Sequence, residues 1–195
     1  MKEVSDFHER TDKYVAAAFA ANPNAKHCCR KGCFACCSEP VYAGEAEVLH
    51  ILESLTDKQT EALKPRLEKW LHRAFPLLRF DMPNAFKYRE LNAVCPFLQD
   101  GLCSVYDRRP FACRTWFAWQ NPADCELPNR EFQKFADFMP GIAKYCGVLS
   151  VNSRFVTDHL GVLLVKYVLN RKVYSGSRIV KTTTDLSPEF KASVP

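Results

Sequence analysis

Ten consecutive positions, 28–37, read CCRKGCFACC, and five of them are cysteine. Thiols packed this densely have three uses: a disulfide framework, a patch of small buried hydrophobes, or soft ligands around a metal ion. The rest of the chain decides among them. The N-terminal stretch MKEVSDFHERTDKY carries charges throughout and no apolar run, so it does not read as a secretory signal. The longest apolar stretches, YVAAAFAA at 14–21 and LGVLLV at 160–165, fall short of the ~20 residues a membrane span needs. The expectation is a cytoplasmic chain with no membrane attachment, in a compartment where thiols stay reduced. Ten cysteines there point to metal rather than to disulfides.

Spacing sharpens this expectation. On a helix advancing ~100° per residue, Cys29, Cys33, Cys36 and Cys37 fall at roughly −40°, 0°, −60° and +40° relative to Cys33. All four thiols then leave from one surface, with Lys31 and Gly32 between them in place of the Leu, Ile and Val of a core face. A concentrated thiolate face is what soft ions select. Cys33-x-x-Cys36 has the two-ligand chelate spacing of zinc and iron–sulfur sites. Cys28 is turned ~100° away from Cys29 and is left out of the site.

A second array follows in CPFLQDGLCSVYDRRPFACRTWFAWQNPADC, where Cys95, Cys103, Cys113 and Cys125 stand too far apart for one compact knuckle. Separate loops converging on a centre suit that spacing. Gly101 permits the tight turn that brings Cys103 back towards Cys95. The expected ligands are therefore Cys29, Cys33, Cys36, Cys37, Cys95, Cys103, Cys113 and Cys125, holding zinc or iron in one cluster or two tetrahedral sites. Arg108, Arg109 and Arg114 are cations that stabilise thiolates if they face the site. Arg114, directly after Cys113, is the favoured one. Trp116, Phe117 and Trp119 are expected to form an apolar shell that keeps water out. Cys146 stands apart and reads as a core thiol.

Other chemistries find little support. No phosphate loop, dinucleotide fingerprint, Ser-His-Asp constellation or H-E-x-x-H occurs. Cys29, Cys33 and Cys36 match the C-x₃-C-x₂-C spacing of radical-SAM enzymes, but 195 residues without strands cannot build the barrel those enzymes use. A net charge of +5, with Arg30, Lys31 and the three arginines forming no stripe, argues against nucleic acid.

The pattern is mostly α: one helical domain over 1–195, with loops organised around a Cys-ligated metal site and no separating linker. An N-terminal helix is expected within 1–24, ending before Asn22-Pro23-Asn24. A second covers Ala43–Leu55. A third is opened by a Thr56/Gln59 capping box and runs to about Phe75, with Pro65 as a kink or break. Further helices are expected over Glu131–Phe138 and Phe155–Asn170, a short strand at Ile179–Thr184, and a frayed tail from Tyr174.

With both arrays in view, the chain resembles the YkgJ-type cysteine-cluster family, the CxxCxxCC zinc- or iron-chelating domain. The residues that carry the likeness are CRKGCFACCSEPVYAGEAE at 29–47 and CPFLQDGLCSVYDRRPFACRTW at 95–116, with Cys125 trailing. They include an acidic position at Glu45 and a tyrosine at Tyr106. The resemblance implies a cytoplasmic, mostly bacterial protein that binds zinc or iron. A relative, the flagellin lysine N-methylase, looks iron–sulfur-dependent, so the likeness also implies an alternative: an enzyme of group-transfer or redox type built on a [4Fe–4S] cluster.

Overall fold

The computed structural model describes residues 2–23, 29–78, 88, 90–117 and 157–170. Helix α1, Lys2–Ala21, ends where Asn22-Pro23 forbids another turn. It buries Val4, Phe7, His8 and Thr11 on one stripe, the 3.6-residue spacing of an amphipathic helix. Strand β1, Tyr42–Gly44, leads straight into α2, Glu45–Leu52. The expected helix from Ala43 is thus shorter by a strand at its start. Helix α3, Asp57–Leu78, opens on the expected box: Gln59 Oε1 accepts from the Thr56 N–H at 2.8 Å, and Thr56 Oγ1 accepts from the Gln59 N–H at 3.3 Å. Pro65 does not break α3. It stands on the exposed face, where water can serve the carbonyl that lost its donor.

The second cysteine segment folds as a hairpin and two short turns. Strands β2, Leu98–Gln99, and β3, Leu102–Cys103, pair antiparallel. Their link is Asp100-Gly101, at φ of 48° and 74°, the left-handed pair that a two-residue hairpin turn requires. A 3₁₀ turn at Tyr106–Arg108 and helix α4, Phe111–Arg114, follow. The expected Phe155–Asn170 helix is shorter: β4, Thr157–His159, precedes α5, Leu160–Val168. Strand β4 pairs antiparallel with β1, Tyr42 opposite His159. These three-residue strands are too short to show alternation in the sequence. The expectations at Glu131–Phe138, Ile179–Thr184 and the tail lie outside the described residues.

The fold is mostly helical, and its core gathers α2, α3 and α5. Ile51, Leu63, Leu67, Trp70, Leu71, Leu164 and Val165 are fully buried there, with Phe97 of the cysteine segment. Trp70 Nε1 donates to Tyr88 Oη at 2.7 Å, so the indole enters the core with its polar atom satisfied. A second cluster, Val4, Phe7 and Ala46, seals α1 onto α2. Phe7 stacks on Phe111 at 5.5 Å between ring centroids. The second cysteine segment therefore rests on a helical platform.

Candidate metal centre

The first segment does not form the continuous helix that its spacing suggests. Arg30–Cys33 is a turn, closed by the Cys33 N–H to the Arg30 carbonyl at 2.9 Å, with Gly32 at φ of 93°. Only Ala35–Ser38 is helical, as a 3₁₀ turn. The positive φ that glycine accepts ends any regular helix at that point, so the common face for Cys29, Cys33, Cys36 and Cys37 is lost. Cys36 and Cys37 stay together. Cys29 points its thiol towards the Trp116 carbonyl, at 3.9 Å.

One backbone bond joins the two arrays: the Cys95 N–H donates to the Cys37 carbonyl at 2.8 Å. The hairpin then returns Cys103 opposite Leu98, and α4 carries Cys113 in. All seven described cysteines are free thiols, each partly buried. Cys125, Cys28 and Cys146 lie outside the described residues, as does Trp119.

Electrostatics shows which thiols are neighbours. A hydrogen bond with Cys37, and then burial, push the Cys36 thiol far above its ordinary value. Burial raises Cys95, Cys103 and Cys113; the charges of Cys113, Cys103 and Cys36 add to the push on Cys95, those of Cys36 and Cys103 to the push on Cys113, and that of Cys36 to the push on Cys103. Two backbone amides oppose this: the Phe97 N–H favours the Cys95 thiolate, and the Val105 N–H favours that of Cys103. Each amide lies two residues beyond its cysteine, and N–H donors to ligand sulfurs are a recurring support of metal centres.

Proximity is not coordination. Among the described residues, no three His, Cys, Asp or Glu side chains stand together as a group that could hold a metal ion. The expected Cys-ligated site is thus not shown. Thiols that keep their protons attract one another weakly and pack as small apolar groups. The donor set itself fits a soft or borderline cation: unlinked sulfurs from two segments, amides aimed at two of them, and a cation beside three.

That cation is Arg109, not the expected Arg114. Its charge counteracts the upward push on Cys36, Cys103 and Cys113. It lies over the Tyr106 ring, 4.2 Å from the centroid. Arg114 is buried and committed elsewhere. It donates to Asp12 Oδ2 on α1 at 2.5 Å, to the Arg109 carbonyl at 2.8 Å and to the Asp107 carbonyl. Arg108 turns to His50, at 3.2 Å from Nε2. Phe117 packs edge-on against Phe19 of α1 at 5.1 Å, which is a contact with a helix.

Sequence reasoning singled out Glu45 and missed Glu47. Glu45 accepts from Lys166 Nζ and Tyr167 Oη, tying α2 to α5. Glu47, 1 % exposed, accepts from His8 Nε2 at 3.1 Å, the Gly44 N–H at 3.0 Å and the Phe111 N–H at 2.7 Å. Burial alone would raise its carboxyl. The His8 bond and the two amides outweigh burial and hold it below its ordinary value. It also lies near enough to Cys113 to disfavour that thiolate. One buried carboxylate thus fastens α1, β1 and α4, setting the base on which Cys113 stands. The signal for it was faint: a helix N-terminus three residues earlier, at a glycine with no capping side chain.

No described helix is long and apolar enough to cross a membrane. The family model CxxCxxCC, described as a "putative zinc- or iron-chelating domain", matches residues 27–138, more than half of the chain. No curated protein and no solved structure matches it.

Proposed function

Because the chain belongs to the CxxCxxCC family of zinc- or iron-chelating domains, we propose that it binds one zinc or iron centre through thiolates drawn from both cysteine segments. Cys36, Cys37, Cys95, Cys103 and Cys113 supply the ligands. Cys29 and Cys33 flank them on the first segment, and Cys125 extends the second. The observation that carries this reading is the Cys95–Cys37 backbone bond, which pins segments distant in sequence so that their thiols become neighbours. Five thiols exceed the four that a tetrahedral ion takes, leaving one for exchange or for a larger cluster. Loss of their protons couples binding to pH, and the bound ion stabilises the fold by mass action. The setting is a reducing, cytoplasmic one.

The test is metal content together with the visible spectrum of protein purified without oxygen. A tightly held ion is expected: colourless zinc, or iron with thiolate-to-metal absorption. Acid-labile sulfide alongside the iron would identify a [4Fe–4S] cluster and favour the enzyme alternative. Protein that retains no metal after exposure to Zn²⁺ or Fe²⁺, with every thiol open to alkylation, would overturn the reading.

A further inference from the structure

Among the described residues, two large apolar side chains stand exposed, Phe34 at 50 % and Leu102 at 51 %. They belong to different cysteine segments: Phe34 follows Cys33, and Leu102 precedes Cys103. Both sit beside turns, where polar residues are the usual choice. Their placement is reciprocal. A Cβ at Gly101 would lie 3.4 Å from Phe34 Cε1 and 3.6 Å from Cδ1, and a Cβ at Gly32 would lie 3.8 Å from Leu102 Cδ2. Each segment thus lays an apolar side chain against the other's turn glycine. Gly32 and Gly101 hold φ of 93° and 74°, which suits glycine, and the missing Cβ also leaves the facing side chain its room.

We propose that Phe34 and Leu102 are positioning residues that clasp the two cysteine segments together before an ion arrives and slow its release afterwards. The proposal rests on the metal-binding reading above. The Cys95–Cys37 backbone bond is a single link, and one such bond adds little net stability in contact with water. It also leaves one segment free to rotate about the other. The two glycine contacts add further points of attachment, at Gly32 and at Gly101, and so restrain that rotation. A site already assembled spares the ordering that would otherwise subtract from affinity. It also opens less often to competing chelators. Neither side chain belongs to the buried core clusters, so truncating either should spare the helices beneath. Loss of one half-buried contact of this size corresponds to about a three- to thirtyfold change in an equilibrium.

The experiment compares the full-length wild type with Phe34→Ala, Leu102→Ala and Phe34→Tyr. Zn²⁺ release is timed by capture with an excess of a coloured chelator. In the metal-free chain, hydrogen exchange of the Cys95 amide reports whether the segments are held together, and a urea melt reports the fold. Both alanine variants are expected to release Zn²⁺ about three- to thirtyfold faster and to exchange the Cys95 amide faster by a similar factor, with the urea midpoint unchanged. Phe34→Tyr keeps the ring edge that faces Gly101 and should restore wild-type behaviour. Wild-type release and exchange in both alanine variants overturn the proposal while the metal centre stands. So does a urea midpoint that falls in step with faster release, or a metal-free wild type whose Cys95 amide exchanges as in an unfolded chain. A wild type that retains no Zn²⁺ overturns both.

Discussion

Glu47 and His159 show how much depends on single buried groups that a sequence does not mark. Glu45 and Glu47 are indistinguishable in GEAE, yet two residues on a helix point ~200° apart. The pairing of β1 with β4 sets the phase, and only Glu47 meets His8, Gly44 and Phe111. Glu47→Gln leaves those donors poorly matched and is expected to cost about 3 kcal/mol, read as a lower urea midpoint. Because the folded-state pKa of Glu47 lies below its ordinary 4.5, its stabilisation is complete above that pH. It fades as pH falls through the depressed value, and the variant should lose this acid sensitivity. His159 works in a higher window. Stacked on Trp70 at 5.0 Å, with Nδ1 accepting the Gly161 N–H at 3.1 Å, its imidazole is pushed by burial from 6.5 down to about 3. Above pH 6.5 both folded and unfolded forms are neutral. Between 6.5 and about 3 only the unfolded chain takes up the proton, so stability falls with pH. About 2 kcal/mol should vanish between pH 7 and pH 5. His159→Asn, which keeps an acceptor for Gly161, should flatten that slope in urea melts at the two pH values.

Among the elements, the helices were legible and the strands were not. Helix α3 announces itself through the Thr56/Gln59 box and buried Leu63, Leu67, Trp70 and Leu71. The hairpin turn is legible in Gly101. Strands β1 and β4 hold three residues each and find one another across most of the chain, so no local pattern could reveal them. The thiol-bearing helix misled for a related reason: its angular argument was sound, but Gly32 broke the regularity it assumed. Two elements offer tests. A Cβ at Gly161 would meet the Trp70 ring at 2.3 Å, so Gly161→Ala must push α5 off α3. The expected loss is about 3 kcal/mol, seen as a lower thermal midpoint. Gly101→Val forces a β-branched residue to φ of 74°, at a cost of about 1–2 kcal/mol. Because β3 carries Cys103, it should also weaken metal uptake; a loss of stability with wild-type metal affinity would detach the hairpin from the centre.

For the whole molecule, the cysteines disclosed the chemistry but not the assembly. Their number and spacing pointed to metal and to the family that the match over 27–138 shows. What holds the two arrays together, the Cys95–Cys37 bond and the Glu47 anchor on α1, β1 and α4, is tertiary and has no signature in either motif. The central claim is that both segments serve one centre. Metal stoichiometry of two double variants, Cys36→Ser/Cys37→Ser and Cys95→Ser/Cys113→Ser, measured by native mass spectrometry after loading with one equivalent of Zn²⁺ under reducing conditions, addresses it directly. The account predicts that each double variant loses the ion that the wild type retains. A full equivalent still held by either one would contradict it.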